Sequence, residues 1–151
     1  MSRSEYITLT NMCMIYDGKG NILVQDRKNP DWPGITFPGG HVEPCEPFAD
    51  AIVREIKEET GLDISEPQLC GVKDWIIDEN SRYIVLLYKT NKFSGELTSS
   101  KEGEMLWASV EDIRNMPLAN DMDELLEIFF RDDLTEQYFE KIDDKWKMRL
   151  L

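Results

Sequence analysis

The sequence predicts a mixed α/β domain, and three observations carry that expectation. The chain has 151 residues, enough for one real core and too few for two comfortable ones. Short apolar runs of strand length are cut by clusters of Gly, Pro, Asn and Asp. Two stretches, residues 47–60 and 121–131, instead carry apolar residues at helical spacing. A hydrophobic share of 41%, with 10% aromatic residues, is that of a folding chain and not a disordered one. No repeat, low-complexity tract or Ser/Gly linker divides residues 1–151, so a single domain is expected.

Taken in order, residues 10–16 (TNMCMIY) are apolar and β-prone, and Asp17-Gly18-Lys19-Gly20-Asn21 is a dense turn signal. Ile22-Leu23-Val24 follows, so this region reads as a hairpin. Residues 29–34 (NPDWPG) form a loop, and residues 35–37 a short strand stopped by Pro38-Gly39-Gly40. In the helix at 47–60, Pro47 suits the first turn, where its missing N–H is no loss, and Gly61 suits the terminator. Residues 69–77 and 83–93 read as strands, the second apolar enough to be covered on both faces. A strand at 105–107 and a short helix at 110–115 come next. The helix at 121–131 turns Met122, Leu125, Leu126 and Phe129 to the core, and residues 136–151 alternate as a terminal hairpin.

Charge narrows the function classes. Lys and Arg number 17 against 30 Asp and Glu, a formal net charge of −13. That field repels a phosphate backbone and speaks against a nucleic-acid polymer as partner. Small phosphate ligands stay open if a cation lies between carboxylate and phosphate. Cys13, Cys45 and Cys70 are odd in number and lack CxxC spacing, so neither a disulfide framework nor a structural zinc site is expected. Residues 1–10 have no signal-length apolar run, and no segment approaches the ~18 apolar residues of a membrane helix. A soluble protein of a reducing compartment, the cytoplasm, without membrane partners is expected; its oligomeric state stays open.

The helix at 47–60 carries the most chemistry. Ala49, Ile52, Val53 and Ile56 fall on one stripe that should face the core. Glu55, Glu58 and Glu59 sit at i, i+3 and i+4, so they share an adjacent face, where each like-charge pair costs roughly 0.2–0.5 kcal/mol. A run of acids is commonly a solvated helix face. The glycine turn directly before the helix favours the alternative, because a bare backbone beside clustered hard oxygens suits Mg²⁺ or Mn²⁺.

The whole segment 40–62 runs Gly40-x5-Glu46-x7-Arg54-Glu55-Ile56-x-Glu58-Glu59-x-Gly61-Leu62. It resembles the Nudix box at every defined position, and the chain is identified as a member of the Nudix hydrolases. The resemblance implies an α/β/α sandwich around a central mixed β-sheet, and metal-dependent hydrolysis of a phosphoanhydride bond in a nucleoside diphosphate derivative. By similarity Glu55, Glu58 and Glu59 would be metal ligands, joined by the carbonyl of Gly39, whose bareness the metal would explain. Glu46 would support the cluster directly or through water. Arg54 would pair with the acids and orient them, which differs little from an ordinary helix ion pair.

A second resemblance is to the MutT-like subgroup, which acts on 8-oxo-dGTP. It rests on Lys101-Glu102-Gly103, then Trp107, then Pro117-Leu118-Ala119-Asn120, and on Thr36-Phe37-Pro38 ahead of the box. It implies Glu102 as general base or extra ligand, with Glu104 as competitor. Asn120 would read a purine edge with its amide, or cap the helix at 121–131. Phe37, Gly40 and Arg27 complete the expected substrate contacts, Arg27 reaching a phosphate or forming a surface ion pair. The expected ligand is a small-molecule nucleotide, an NTP including oxidised purine forms, split into a nucleoside monophosphate and pyrophosphate. ADP-ribose or a nucleotide sugar is the alternative substrate, and a ligand-sensing module without turnover the alternative class. Plainer expectations attach to His41 (incidental), Cys45 (no nucleophile), Trp32 (stacking on a base or capping the core), and Trp75 and Trp107 (core).

Overall fold

The computed structural model describes residues 2–151; Met1, part of the stretch read for a leader, lies outside the described residues. Its strands are β1 (Tyr6–Ile15), β2 (Asn21–Arg27), β3 (Gly34–Thr36), β4 (Leu62–Ile64), β5 (Gln68–Asp78), β6 (Ser81–Thr90), β7 (Phe93–Gly95), β8 (Gly103–Ser109), β9 (Glu136–Ile142) and β10 (Lys145–Leu150). Helix α1 spans Phe48–Thr60 and α2 spans Met122–Phe130, with a 3-10 turn at Ile113–Asn115. The main sheet is mixed, in the order β1-β6-β5-β9-β10; β3-β2-β8 form an antiparallel second sheet and β4-β7 a small third one. No described helix is long and apolar enough to cross a membrane.

The layering follows from strand periodicity, because alternate side chains point to opposite faces. Met12 and Met14 of β1, Ile22 and Val24 of β2, and Val85 and Leu87 of β6 share a core with Met122, Leu125, Leu126, Ile128 and Phe129 of α2. Their neighbours Cys13, Ile15, Leu23, Leu86 and Tyr88 pack instead with Ile52 and Ile56 of α1. The strands are therefore apolar on both sides and lie between the two helices, the mixed α/β arrangement expected. Phe37 meets Phe129 edge-on at 5.0 Å between ring centroids, which ties the segment after β3 to α2.

Several local expectations are revised. Residues 10–24 are not a hairpin ladder: beyond the single Tyr16–Ile22 bridge, β1 runs parallel to β6 while β2 joins the other sheet. Asp17 holds the turn by accepting from the N–H groups of Lys19 and Asn21, but both strands are apolar on two faces and separate to cover different partners. The expected strand at 83–93 ends at Thr90, and β7 turns away to pair with β4. Pro47 stands at the N-cap, one place before the first turn, while Gly61 terminates α1 with φ 78°. The buried stripe of α1 is Ala51, Ile52, Glu55, Ile56 and Thr60; Ala49 is exposed and Val53 half-buried. The helix is thus rolled toward Glu55. The expected cap Asn120 yields to Asp121, which makes no side-chain cap bond. Trp107 is 37% exposed against Phe93 and is not a core residue, while Trp75 is half-buried and packs against the core. Cys13, Cys45 and Cys70 are unpaired.

At the seam of β5, β6 and β9, buried Asp74 accepts from Arg82 Nη1 at 3.0 Å. Burial and the neighbouring Glu136 carboxyl push Asp74 up to about 7, against the pull of Arg82. A carboxyl raised in the folded state stabilises most below its ordinary value, and that contribution is lost as pH rises through about 7. The urea midpoint should therefore fall between about pH 5 and about pH 8, and fall less in Asp74→Asn, which keeps the acceptor for Arg82 without the ionisation.

Candidate active site

Gly39 and Gly40 are bare for different reasons. A Cβ on Gly39 would lie 2.1 Å from the Asn11 carbonyl oxygen, so the backbone of β1 already forbids a side chain there. This replaces the expectation that an approaching metal explains the bareness. A Cβ on Gly40 would lie 2.2 Å from the carboxyl carbon of Glu55, so Gly40 leaves room for that acid. The turn is stitched to β1: Cys13 N–H donates to Pro38 O (2.9 Å), Asn11 N–H to Gly40 O (2.8 Å), and Gly40 N–H to Asn11 Oδ1 (2.9 Å). Alternate carbonyls of an extended segment face opposite ways, which points the Gly39 carbonyl away from β1.

Arg54 organises the acids. Its Nε and Nη2 donate to the two oxygens of Glu46 (2.8 and 2.9 Å), and Nη1 donates to Glu55 (2.9 Å) and Glu58 (3.2 Å). Nη2 also reaches His41 O at 2.9 Å. This guanidinium holds the Glu46 carboxyl down to about 2, and its acid partners keep Arg54 firmly protonated. Glu55 is 8% exposed. The Glu58 side chain is 57% exposed and leans on Arg54. The expected shared face is therefore divided: Glu55 and Glu59 line the cavity described next, and Glu58 lies outside its lining. Among the described residues no three His, Cys, Asp or Glu side chains stand close enough together, as placed, to hold a metal ion.

A cavity of about 730 Å³ opens between the sheets beside α1. Its acidic wall is Glu55, Glu59 and Glu102, with Gly39, Gly40 and His41 at the turn. Glu59 accepts from Ser100 Oγ (2.7 Å) and more weakly from Gln25 Nε2 (3.4 Å). Burial foremost, then the Glu102 and Glu55 charges, raise its carboxyl against those hydrogen bonds. Glu102 is carried on a tight turn closed by the Ser100–Gly103 bridge, and its carbonyl accepts from Lys28 N–H. Glu104 stands opposite Asp26 on the β2–β8 ladder, exposed and outside the cavity lining. Arg27 also lines the cavity, and its buried Nε has no partner. Phe37 forms part of the floor but is 2% exposed.

Asn120 does not reach this wall. It borders a second recess, and its carbonyl accepts from Trp32 Nε1 at 2.8 Å. Residues that sequence reasoning passed over fill the far side of the cavity. Lys73 and Trp75 of β5 project from the same face as Tyr83 of β6, and Trp75 stacks on Tyr83 at 4.4 Å. Asn11, 4% exposed, keeps its Nδ2 unpartnered. The available signal was a charged or amide residue inside an apolar strand, as in Asn11 within TNMCMIY or Lys73 within LCGVKDWII.

A family model described as NUDIX domain matches residues 8–129. The uncharacterized Nudix hydrolase YvcI of Bacillus subtilis is 31% identical over 119 residues, covering 76% of this chain and 73% of the relative. The ADP-ribose pyrophosphatase of Methanocaldococcus jannaschii is 33% identical over 120 residues, with 78% and 70% covered. A crystal structure of a MutT protein from Bacillus halodurans superposes with a TM-score of 0.77 at 22% identity, covering 93% of this chain and 97% of that one.

The two glycines separate by experiment. Gly39→Ala should destabilise by about 3 kcal/mol, because backbone must move. Gly40→Ala should cost about 1 kcal/mol, because the end of a side chain can give. Urea denaturation measures both, and a crystal structure of Gly40→Ala should show the Glu55 carboxylate displaced.

Proposed function

The chain belongs to the NUDIX hydrolases, which act on acid anhydrides in nucleoside diphosphate derivatives, and we propose that its cavity splits nucleoside triphosphates, oxidised purine forms included, into a nucleoside monophosphate and pyrophosphate. One observation carries this reading: a single cavity joins clustered carboxylates, an arginine with an unpartnered buried nitrogen, and an aromatic wall. Those are the needs of metal, phosphate and base in turn.

The residues fit a divalent cation. The available donors are hard carboxylate oxygens, the Gly40 cradle leaves space at the Glu55 head, and Glu59 sits desolvated among other acids. Glu55, Glu58 and Glu59 would hold Mg²⁺ or Mn²⁺ with the Gly39 carbonyl, Glu46 supporting them through Arg54. When bound, the ion neutralises non-bridging phosphate oxygens and acidifies its water. Glu102, on the rim turn, takes the proton of the attacking water as that oxygen bonds to phosphorus and the bridging oxygen leaves with its electron pair. Arg27 and Asn11 Nδ2 donate to phosphate oxygens at no cost in broken protein bonds, since neither nitrogen has a partner to surrender. Gly40 admits the phosphates closely, Phe37 backs the cavity floor, and Asn120 acts through Trp32, which its carbonyl anchors.

The ADP-ribose pyrophosphatase among the relatives favours a second reading, in which the same anhydride chemistry acts on ADP-ribose and yields AMP and a ribose phosphate. Product analysis separates the two, because only the first releases pyrophosphate.

With Mg²⁺ and a panel of nucleotides, wild type should release pyrophosphate, and Glu59→Gln should lower kcat at least about a hundredfold. Equal turnover by both proteins refutes the role given to Glu59. Excess EDTA should abolish turnover, and added Mg²⁺ should restore it.

A further inference from the structure

Lys73 is 8% exposed, yet no described carboxylate lies within salt-bridge distance of its ammonium and it makes no hydrogen bond among the described residues. Its Nζ lies 4.6 Å from the Trp32 ring centroid, 5.6 Å from that of Phe139 and 5.8 Å from that of Trp75. It lines the main cavity and also the second recess, so it stands at the end where the two meet. With no protein acceptor on it, the ammonium faces the cavity with its N–H donors open to an incoming acceptor, beside ring faces and with the Asp121 charge beyond salt-bridge distance. Rings on several sides give flat faces, with Asp31 and Asp121 as acidic neighbours in the recess. They suit a heterocycle better than a doubly charged phosphate, which Arg27 and the acidic wall can serve through a metal.

On the reading of the cavity as a nucleotide site, we propose that Lys73 determines base specificity, selecting bases with a carbonyl at purine position 6 or pyrimidine position 4 over those with an amino group there. An ammonium only donates. The O6 of guanine or hypoxanthine and the O4 of uracil or thymine accept from it, whereas the amino groups of adenine and cytosine turn N–H toward it and are repelled. Trp32 and Trp75 supply the stacking faces, and Trp32 is fixed by its bond to the Asn120 carbonyl.

The matched pairs ITP/ATP and UTP/CTP differ at this position and at the adjoining ring nitrogen, which carries a hydrogen only in the oxo member, so the Lys73 variants assign the preference to the ammonium. Wild type should favour the oxo member of each pair in kcat/KM by between about tenfold and a hundredfold, the worth of a hydrogen bond from a charged donor. Lys73→Met, which preserves the apolar volume, should bring both ratios close to one, and Lys73→Arg, which retains a donor, should keep a preference for the oxo base. Equal rates within each pair in wild type, or ratios unchanged in Lys73→Met, overturn the proposal.

A metal-free measurement separates this from the hydrolase reading. In EDTA, quenching of Trp fluorescence by IMP and AMP reports base binding without turnover. Tighter binding of IMP than AMP by wild type supports the role of Lys73 even if no nucleotide is hydrolysed or a variant fails to fold. Equal affinities overturn it even if hydrolysis is confirmed.

Discussion

Three acidic side chains gather around one guanidinium, and much of the local architecture follows from that ion cluster. Arg54 gives Glu46 two parallel bonds and shares its remaining donors between Glu55, Glu58 and the His41 carbonyl. The loop before α1 is thereby bound to the helix. Glu55 is drawn inward until its carboxylate fills the space where a side chain on residue 40 would stand. That demands glycine at 40, and the close approach of the same turn to β1 demands it at 39. The helix is rolled so that an acid is buried beside Ile52 and Ile56 where a purely apolar stripe would have placed Ala49. Breaking such a partly buried charge network is costly, because each partner removed leaves others desolvated and unpaired.

The cavity beside this cluster joins an acidic wall to an aromatic one. Glu55, Glu59 and Glu102 gather at α1 and the 100–103 turn, with Arg27 opposite Gly103 beside them, while Trp32, Trp75 and Tyr83 with Lys73 form the aromatic end, which Asp31 also borders. Acids outnumber Lys and Arg by 30 to 17 across the chain, so carboxylate partners are plentiful. Yet the Nε of Arg27 is buried without one, and Lys73 lies over aromatic faces with no carboxylate within salt-bridge distance. Exposed cations elsewhere find acids readily, as Arg114 does with Glu127 and Arg131 with Asp133. Cations kept unpaired in an acidic protein mark where an outside acceptor is accommodated.

The elements were readable where local pattern and tertiary demand agree. Met122, Leu125, Leu126 and Phe129 lie at helical spacing and are all buried on α2, and Gly61 stops α1 as its position predicts. The box glutamates were readable as a group because spacing along one helix sets their relative angles. Pairing was not. The turn at residues 17–21 suggested a hairpin, yet β1 and β2 part into different sheets, because a strand that is apolar on both faces carries no local mark of its neighbour. The competition between Glu102 and Glu104 likewise depended on where the turn gives way to β8: one lies on the turn over the cavity and the other on the ladder opposite Asp26.

By itself the sequence determined the helix with its acids, the glycine turn before it and the family, because all of these are written in contiguous residues whose spacing has one local meaning. Only the tertiary structure decided that Glu55 and Glu59 line the cavity while Glu58 lies outside its lining. Only it brought Lys73, Trp75 and Tyr83 from two strands, with Trp32 from a distant loop, to the far end of that cavity. The physical reason is that a side chain's surroundings depend on which segments pack against it, and that choice is made by burial of apolar surface summed over the whole chain.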